Sequence, residues 1–190
     1  MDAVMEKGKR FESKDEILES LREDRNLAGA DLSGLDLTGI KLMGLSLKGA
    51  DLHGSNLAQA TLAGADMSEV NLMDAHLDKA RITGANMRAA NLRGAHLNAA
   101  QVAGVDMKEA DLTGADLSES KLVGVDVAGA DFSEVKTAGA RAAVNWDAAK
   151  VQPSELPAPI APPRWLPFVV VGVVTAVVVF LLRWRKRDEA

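Results

Sequence analysis

"DLHGSNLAQATLAGADMSEV", residues 51–70, carries Leu52, Leu57, Leu62 and Met67 at intervals of five. Between them stand Ser55, Ala60, Ala65 and Val70, so the small or apolar positions alternate in spacing, three then two. A period of five suits neither regular element. On a helix at about 100° per residue each step would rotate the leucines by roughly 140° and scatter them around every side. On a flat strand the odd spacing would send successive leucines to opposite faces. A short extended segment with two inward positions, followed by a turn, keeps them all on one side. Repeating that turn closes the chain into a coil, and stacked coils make a solenoid.

The pattern runs far beyond this stretch. From Asn26 to Ala140 the chain divides into 23 consecutive pentads with no insertion or deletion. The second position is Leu, Met, Ile, Val or Phe in all but the last, where it is Thr137, and the fifth is mostly Ala. "ADLSG" (30–34), "ADLHG" (50–54), "ANLRG" (90–94) and "ADLTG" (110–114) are typical. These residues resemble the pentapeptide-repeat proteins, whose motif is Ala-(Asp/Asn)-Leu followed by two variable residues. The resemblance covers 115 of the 190 residues. It implies an all-β solenoid, a right-handed quadrilateral β-helix of about six coils with 20 residues in each. At about 4.8 Å per coil the rod would be roughly 27 Å long.

Twenty residues per coil sort the pentads into four columns. The residue before each central apolar position points outward. It runs Asn26, Ser46, Asp66, Asn86, Asp106, Asp126 in the first column and Asp31, Asp51, Asn71, Asn91, Asp111, Asp131 in the second. The third reads Asp36, Asn56, His76, His96, Asp116, Lys136. Short polar side chains in such places bond nearby backbone groups at a turn. The fourth breaks the rule: Lys41, Thr61, Arg81, Gln101, Lys121, with no Asp or Asn. Its next outward positions are Met43, Ala63, Thr83, Ala103 and Val123, each followed by a glycine: Gly44, Gly64, Gly84, Gly104 and Gly124. All fifteen acidic residues of the repeats lie on the other three columns. The fourth is therefore a flat, small-residue, slightly basic face, the candidate contact surface for a protein partner, a second copy or the chain's own tail.

Composition narrows the chemistry. There are 27 acidic and 22 basic residues, which argues against direct nucleic-acid binding. There is no Cys and no Tyr, and no glycine-rich phosphate loop opens a helix, so no catalytic residue, cofactor or enzyme activity is assigned. His76 and His96 share a column in adjacent coils with Asp116 one coil beyond, the weak candidates for a metal. Replacement of Asn by His in a polar column is the simpler account, and no metal is assigned.

Outside the repeats the chain changes character. Residues 1–25 are read as an N-terminal cap with a helix near 14–23, introduced by a capping box from Ser13 to Glu16. Phe11, Ile17, Leu18 and Leu21 would form its apolar face. Residues 141–164 are read as a second cap, with Val144 and Trp146 as a lid, and a proline-rich spacer, since all six prolines fall between Pro153 and Pro167. "WLPFVVVGVVTAVVVFLL", residues 165–182, has no charge, and Trp165 and Trp184 bracket a transmembrane helix expected over 165–184. Arg183, Arg185, Lys186 and Arg187 lie at its far side, the last three within a basic tail, 185–190. The first residues are charged and lack the apolar core of a secretory signal, so the expectation is a single-pass, tail-anchored protein with a cytoplasmic repeat domain. Positive charge beyond the span argues for the opposite orientation.

Three functions fit these features. The leading one is a non-catalytic, membrane-tethered scaffold presenting a rigid rod to a protein partner. The family resemblance implies a second, a gyrase-binding mimic of duplex DNA, although a net charge of −6 over residues 26–140 is modest for that. The third is a self-assembling structural protein that organises a membrane or organelle.

Overall fold

The computed structural model describes residues 8–160. Every pentad from Asn26 to Lys121 pairs in parallel with the segment twenty residues on, as in Asn26↔Ser46, Asp31↔Asp51, Asp36↔Asn56 and Lys41↔Thr61. Four pentads thus make one coil and the columns become four faces, numbered I to IV from Asn26, Asp31, Asp36 and Lys41.

The pentad at Asp51 shows why the sequence turns where it does, because all five of its amides find partners. Asp51 donates to Ala30 O (2.8 Å) in the coil before, and Leu52 and Gly54 donate to Asn71 O (2.8 Å) and Met73 O (2.9 Å) in the coil after. The His53 amide donates to Asp51 Oδ1 (3.1 Å), and the Ser55 amide closes the turn onto Leu52 O (3.1 Å). An Asp or Asn before the central residue thus satisfies the one amide the ladder cannot reach. All fourteen Asp and Asn residues at that position accept from the amide two residues on. The fourth residue takes a left-handed conformation, φ +60° at Gly54.

Face IV, lacking those side chains, behaves differently. Among the described residues, none of Leu45, Ala65, Ala85, Val105 and Val125 donates back across its corner to the central residue of its pentad. From Arg81 on its pentads stay extended over three residues and form a sheet: β1 (Arg81–Thr83), β2 (Gln101–Ala103), β3 (Lys121–Val123), β4 (Arg141–Ala143) and β5 (Ala158–Pro159), all parallel and in that order. The pentads at Lys41 and Thr61 hold single bridges, as do the other faces. The expected β-helix is present, with its regular strands concentrated in the later coils of face IV.

Inside the coils the central positions are buried from Leu27 to Phe132, with alanines filling most of the remaining inward places. Each leucine withdrawn from water contributes roughly 1.5–3 kcal/mol. Ser55, in an alanine position, satisfies its hydroxyl by donating to Leu52 O (2.8 Å). Ser120, in an equivalent position, leaves its Oγ buried and unpartnered.

Both ends of the stack are covered. The Asp31 amide donates to Lys9 O (2.9 Å) and that of Gly8 to Gly29 O (2.9 Å), which extends face II by one rung. Helix α1 (Lys14–Glu23) follows, with the Ser13 Oγ accepting from the Glu16 amide (3.2 Å). The Glu16 carboxylate accepts from the amide of Glu12 (2.9 Å), one residue short of the reciprocal bond a capping box implies. Phe11 and Ile17 are fully buried and Leu21 partly. Leu18 is 42% exposed, contrary to the expected apolar face, because it lies about 100° around the helix from Ile17.

At the other end Trp146, in a 3₁₀ turn (Trp146–Ala148), meets the Phe132 ring edge-on at 5.1 Å. The proline-rich stretch departs from its expected role as a spacer free of the rod. Pro153 and Pro157 are buried, Thr137 Oγ1 donates to Glu155 O (2.7 Å), and β5 pairs with β4. Proline lacks an amide hydrogen, so Pro159 ends the ladder without presenting a further donor. Among the described residues no helix is long and apolar enough to cross a membrane; the expected span over 165–184 and the basic tail lie outside them.

The buried hydroxyls give a test. Ser120→Ala is expected to raise stability by about 1 kcal/mol by removing an unsatisfied polar atom, whereas Ser55→Ala gives no such gain. Urea denaturation of the two variants checks the difference; equal effects would refute the assignment.

Candidate functional site: the acid-free face

The bridges Lys41↔Thr61↔Arg81 and the registers Arg81↔Gln101↔Lys121 bring the five predicted outward residues into one line. Met43, Ala63, Thr83, Ala103 and Val123 form a second line beside it. Lys41, Arg81, Gln101 and Lys121 are exposed, as are Met43 (49%) and Val123 (37%). One part of this surface falls outside the repeats as read from sequence: β4 pairs Arg141 with Lys121 and Ala143 with Val123, adding a cation and another small residue. The twenty-residue register alone would have found it, but the pentad after Ala140 no longer reads as a repeat. Arg25 joins from the N-terminal side, its Nη2 donating to Met43 O (2.9 Å).

The basic residues of faces I and II are held by carboxylates, whereas Lys79 and Lys136 on face III, like the cations of face IV, form no ion pair among the described residues. Arg88 reaches Asp106 (3.8 Å) and Glu109 (3.5 Å), and Arg93 reaches Asp111 (3.1 Å). Lys48 pairs with Glu69 (3.2 Å). Lys108 sits between Asp106 (3.7 Å) and Asp126 (2.8 Å), and its hydrogen bond to Asp126 holds its pKa above the usual lysine value. Among the described residues, Lys41, Arg81, Lys121 and Arg141 form no ion pair.

The glycines add a second contrast. The left-handed corner is common to all faces, yet elsewhere nine non-glycine residues adopt it, including Gln59, Lys79 and Glu119 at φ near +60°. On face IV the same φ, +62° at Gly84 and +59° at Gly124, is always given to glycine. A Cβ at either would meet nothing within 4 Å. The left-handed corner favours glycine on every face, and face IV differs only in filling it with glycine each time.

The remaining candidates are less productive. His76 and His96 stack at 4.7 Å between ring centroids, and Asp116 pairs with His96 one coil on. Stacked rings direct their nitrogens side by side, and among the described residues no group of three or more His, Asp or Glu could hold a metal ion. A groove of about 390 Å³ at the C-terminal end, lined by Ser118, Lys136, Thr137 and Glu155 among others, marks where the cap segment crosses the last coil. The membrane-interface candidates Trp165, Arg183, Trp184, Arg185, Lys186 and Arg187 lie outside the described residues.

Stacked pentads, an aspartate or asparagine at the corners, and a register of twenty define a class of protein, and a family model agrees. The model for pentapeptide repeats matches residues 26–58, 55–94 and 95–134. The chain belongs to the pentapeptide-repeat family, whose members are generally structural or interaction proteins. No curated protein sequence matches it. Among solved structures it is similar to HetL, a pentapeptide repeat protein involved in heterocyst differentiation regulation from the cyanobacterium Nostoc sp. strain PCC 7120. That match has 28% identity and a TM-score of 0.45 over 60% of this chain, and it spans 58% of HetL's length. A pentapeptide repeat protein from the Arabidopsis thaliana thylakoid lumen is 35% identical over 55% of this chain and 69% of its own, with a TM-score of 0.35. QnrB1, a plasmid-mediated fluoroquinolone resistance protein, is 23% identical over 64% of this chain and 65% of its own, with a TM-score of 0.36.

The corner aspartates make stability pH-dependent. Hydrogen bonds from the hydroxyl and amide of Ser33 hold Asp31 below the usual carboxylate range, and Ser133 does the same for Asp131. A carboxylate whose pKa falls on folding adds stability above its unfolded value, near 3.9, and that contribution is lost as pH drops through the folded value. Asp31→Asn and Asp131→Asn keep the Oδ1 acceptor but remove the ionisation. Together they should flatten the loss of stability below about pH 4. Urea midpoints from pH 6 to pH 2 read this directly; an unchanged acid limb would show the two carboxylates to be unimportant.

Proposed function

We propose that this protein is a non-catalytic interaction module: a β-helical rod that presents face IV to a protein partner and is tethered to a membrane through residues 165–184. Face IV carries the reading. It combines a sheet from Arg81 on, cations that form no ion pair among the described residues, small side chains at Ala63, Thr83 and Ala103, and no acid. Small side chains allow close approach, and cations without an ion pair give up no internal partner on binding.

The tether rests on the uncharged run 165–182 between Trp165 and Trp184, with Arg183, Arg185, Lys186 and Arg187 as anchors at one interface. In this reading the repeat domain is cytoplasmic. The spacer shortens to the residues after the docked cap, since β5 ends at Pro159. The gyrase-binding alternative fits less well, because much of the carboxylate charge it needs is already engaged by Lys48, Arg88, Arg93 and Lys108.

Glutamate at Ala63 and Ala103 would put a charged side chain into the centre of face IV without touching the core. The double variant Ala63→Glu/Ala103→Glu is expected to lose association in native membranes, read by chemical cross-linking, while its far-ultraviolet circular dichroism stays that of the parent. Unaltered cross-linking would eliminate face IV as the interface.

A further inference from the structure

Charge is distributed across the coil in a way that selects the partner. Within the repeats face II carries six carboxylates, Asp31, Asp51, Asp74, Asp111, Asp131 and Glu134, against Arg93, a net charge of −5, and at its two ends Arg10 and Lys150 pair with Asp31 (3.4 Å) and Asp131 (3.3 Å). Face IV carries Lys41, Arg81 and Lys121 and no acid, a net charge of +3, while faces I and III each have −2. With four pentads per coil, faces II and IV lie on opposite sides. The most acidic side of the rod thus backs the only basic one.

Apolar exposure follows the same axis. Of the six large hydrophobic residues exposed among those described, Met43 and Val123 lie on face IV. Met73 lies on face II, and Val151 extends that face by its bridge to Asp131.

We propose that face IV docks on face II of a second copy of this chain, so that the rods associate side by side in an open row. This deepens the reading of face IV as the contact surface and rests on it. The charge signs exclude the simplest alternative, since face IV against face IV would oppose cations to cations with no acid between them. Face IV against face II opposes unlike charges and also matches their spacing. Both surfaces repeat with the rise of the same coil, so a sideways shift brings the row of cations on face IV opposite the row of carboxylates on face II, where Asp74 and Glu134 form no ion pair among the described residues. A partner of any other fold would have to reproduce that spacing independently. Contacts between opposite faces are heterologous: each copy leaves one face IV and one face II free, and the row has no closing rotation. Every copy points the same way along the coil axis, which a row of proteins anchored in one membrane requires.

The native chain contains no cysteine, so introduced thiols report without background. Thr83 on face IV and Met73 on face II are exposed and belong to the same coil. The full-length double variant Thr83→Cys/Met73→Cys, treated in native membranes with a short bis-maleimide, should give a ladder of dimer, trimer and higher bands on a denaturing gel, weakening as salt is raised. Neither single variant should give bands beyond monomer. Val123→Cys with Thr113→Cys repeats the test one site along if the first pair disturbs folding. Arg141→Glu should abolish the upper bands, and adding Glu134→Arg should restore them. A dimer from Thr83→Cys alone would overturn the proposal by showing that face IV meets itself. Absence of the ladder while Ala63→Glu/Ala103→Glu still abolishes association would also overturn it, leaving face IV as the interface for a different protein. Absence of both effects would remove the interaction reading as well.

Discussion

The parallel register of twenty residues is the constraint on which everything else depends. Each pentad finds acceptors in the coil before and the coil after only if every coil has the same length. One added residue would move the central leucines to the outer surface and strand two rows of amides at once. That cost explains why 23 pentads follow one another without a single insertion. It also explains why variation is pushed outward: inward places accept little beyond leucine, methionine, alanine and their near relatives, while outward ones hold almost anything polar.

Within that register the corner side chain contributes to local structure. Where Asp or Asn precedes the central residue, its oxygen takes the next-but-one amide, and the chain usually folds back onto the central carbonyl. The fold-back also occurs in the pentads of Ser46, His76, His96 and Lys136, which lack that residue, but in none of the face IV pentads from Lys41 to Lys121. Three consecutive extended pentads in register, Arg81–Thr83, Gln101–Ala103 and Lys121–Val123, are then a sheet. The side of the rod that carries the sheet is thus also its basic one.

The columns were legible in the sequence because the period is exact. Lys41 through Lys121 align as the spacing requires, and the corner hydrogen bonds fall where Asp and Asn stand. The sheet on face IV was not legible. Nothing in "RITGA" or "QVAGV" marks it as more extended than "KLMGL", which shares the column and holds a single bridge. The cap at Val144 and Trp146 was legible, but the docking of the prolines after it was not, because they read as a spacer. Pro153 and Pro157 are buried, and Pro159, which has no amide hydrogen, closes the ladder. Arg141 escaped notice for a related reason, since its pentad keeps the register after losing the motif.

The two periods of this chain also separate what holds it together from what it displays. Inserting five residues would add one pentad, leave every leucine inside, and preserve the ladder. Every later column would nonetheless move round the rod by one side, and Lys121 would fall in line with aspartates. Inserting twenty would lengthen the rod and leave each side as it was. Growth of such a gene by duplication can therefore proceed by fives without harming the fold, but only by twenties without erasing the polarity between its two opposite sides. The surface pattern, rather than the core, is the part of this molecule that sets the size of the heritable unit.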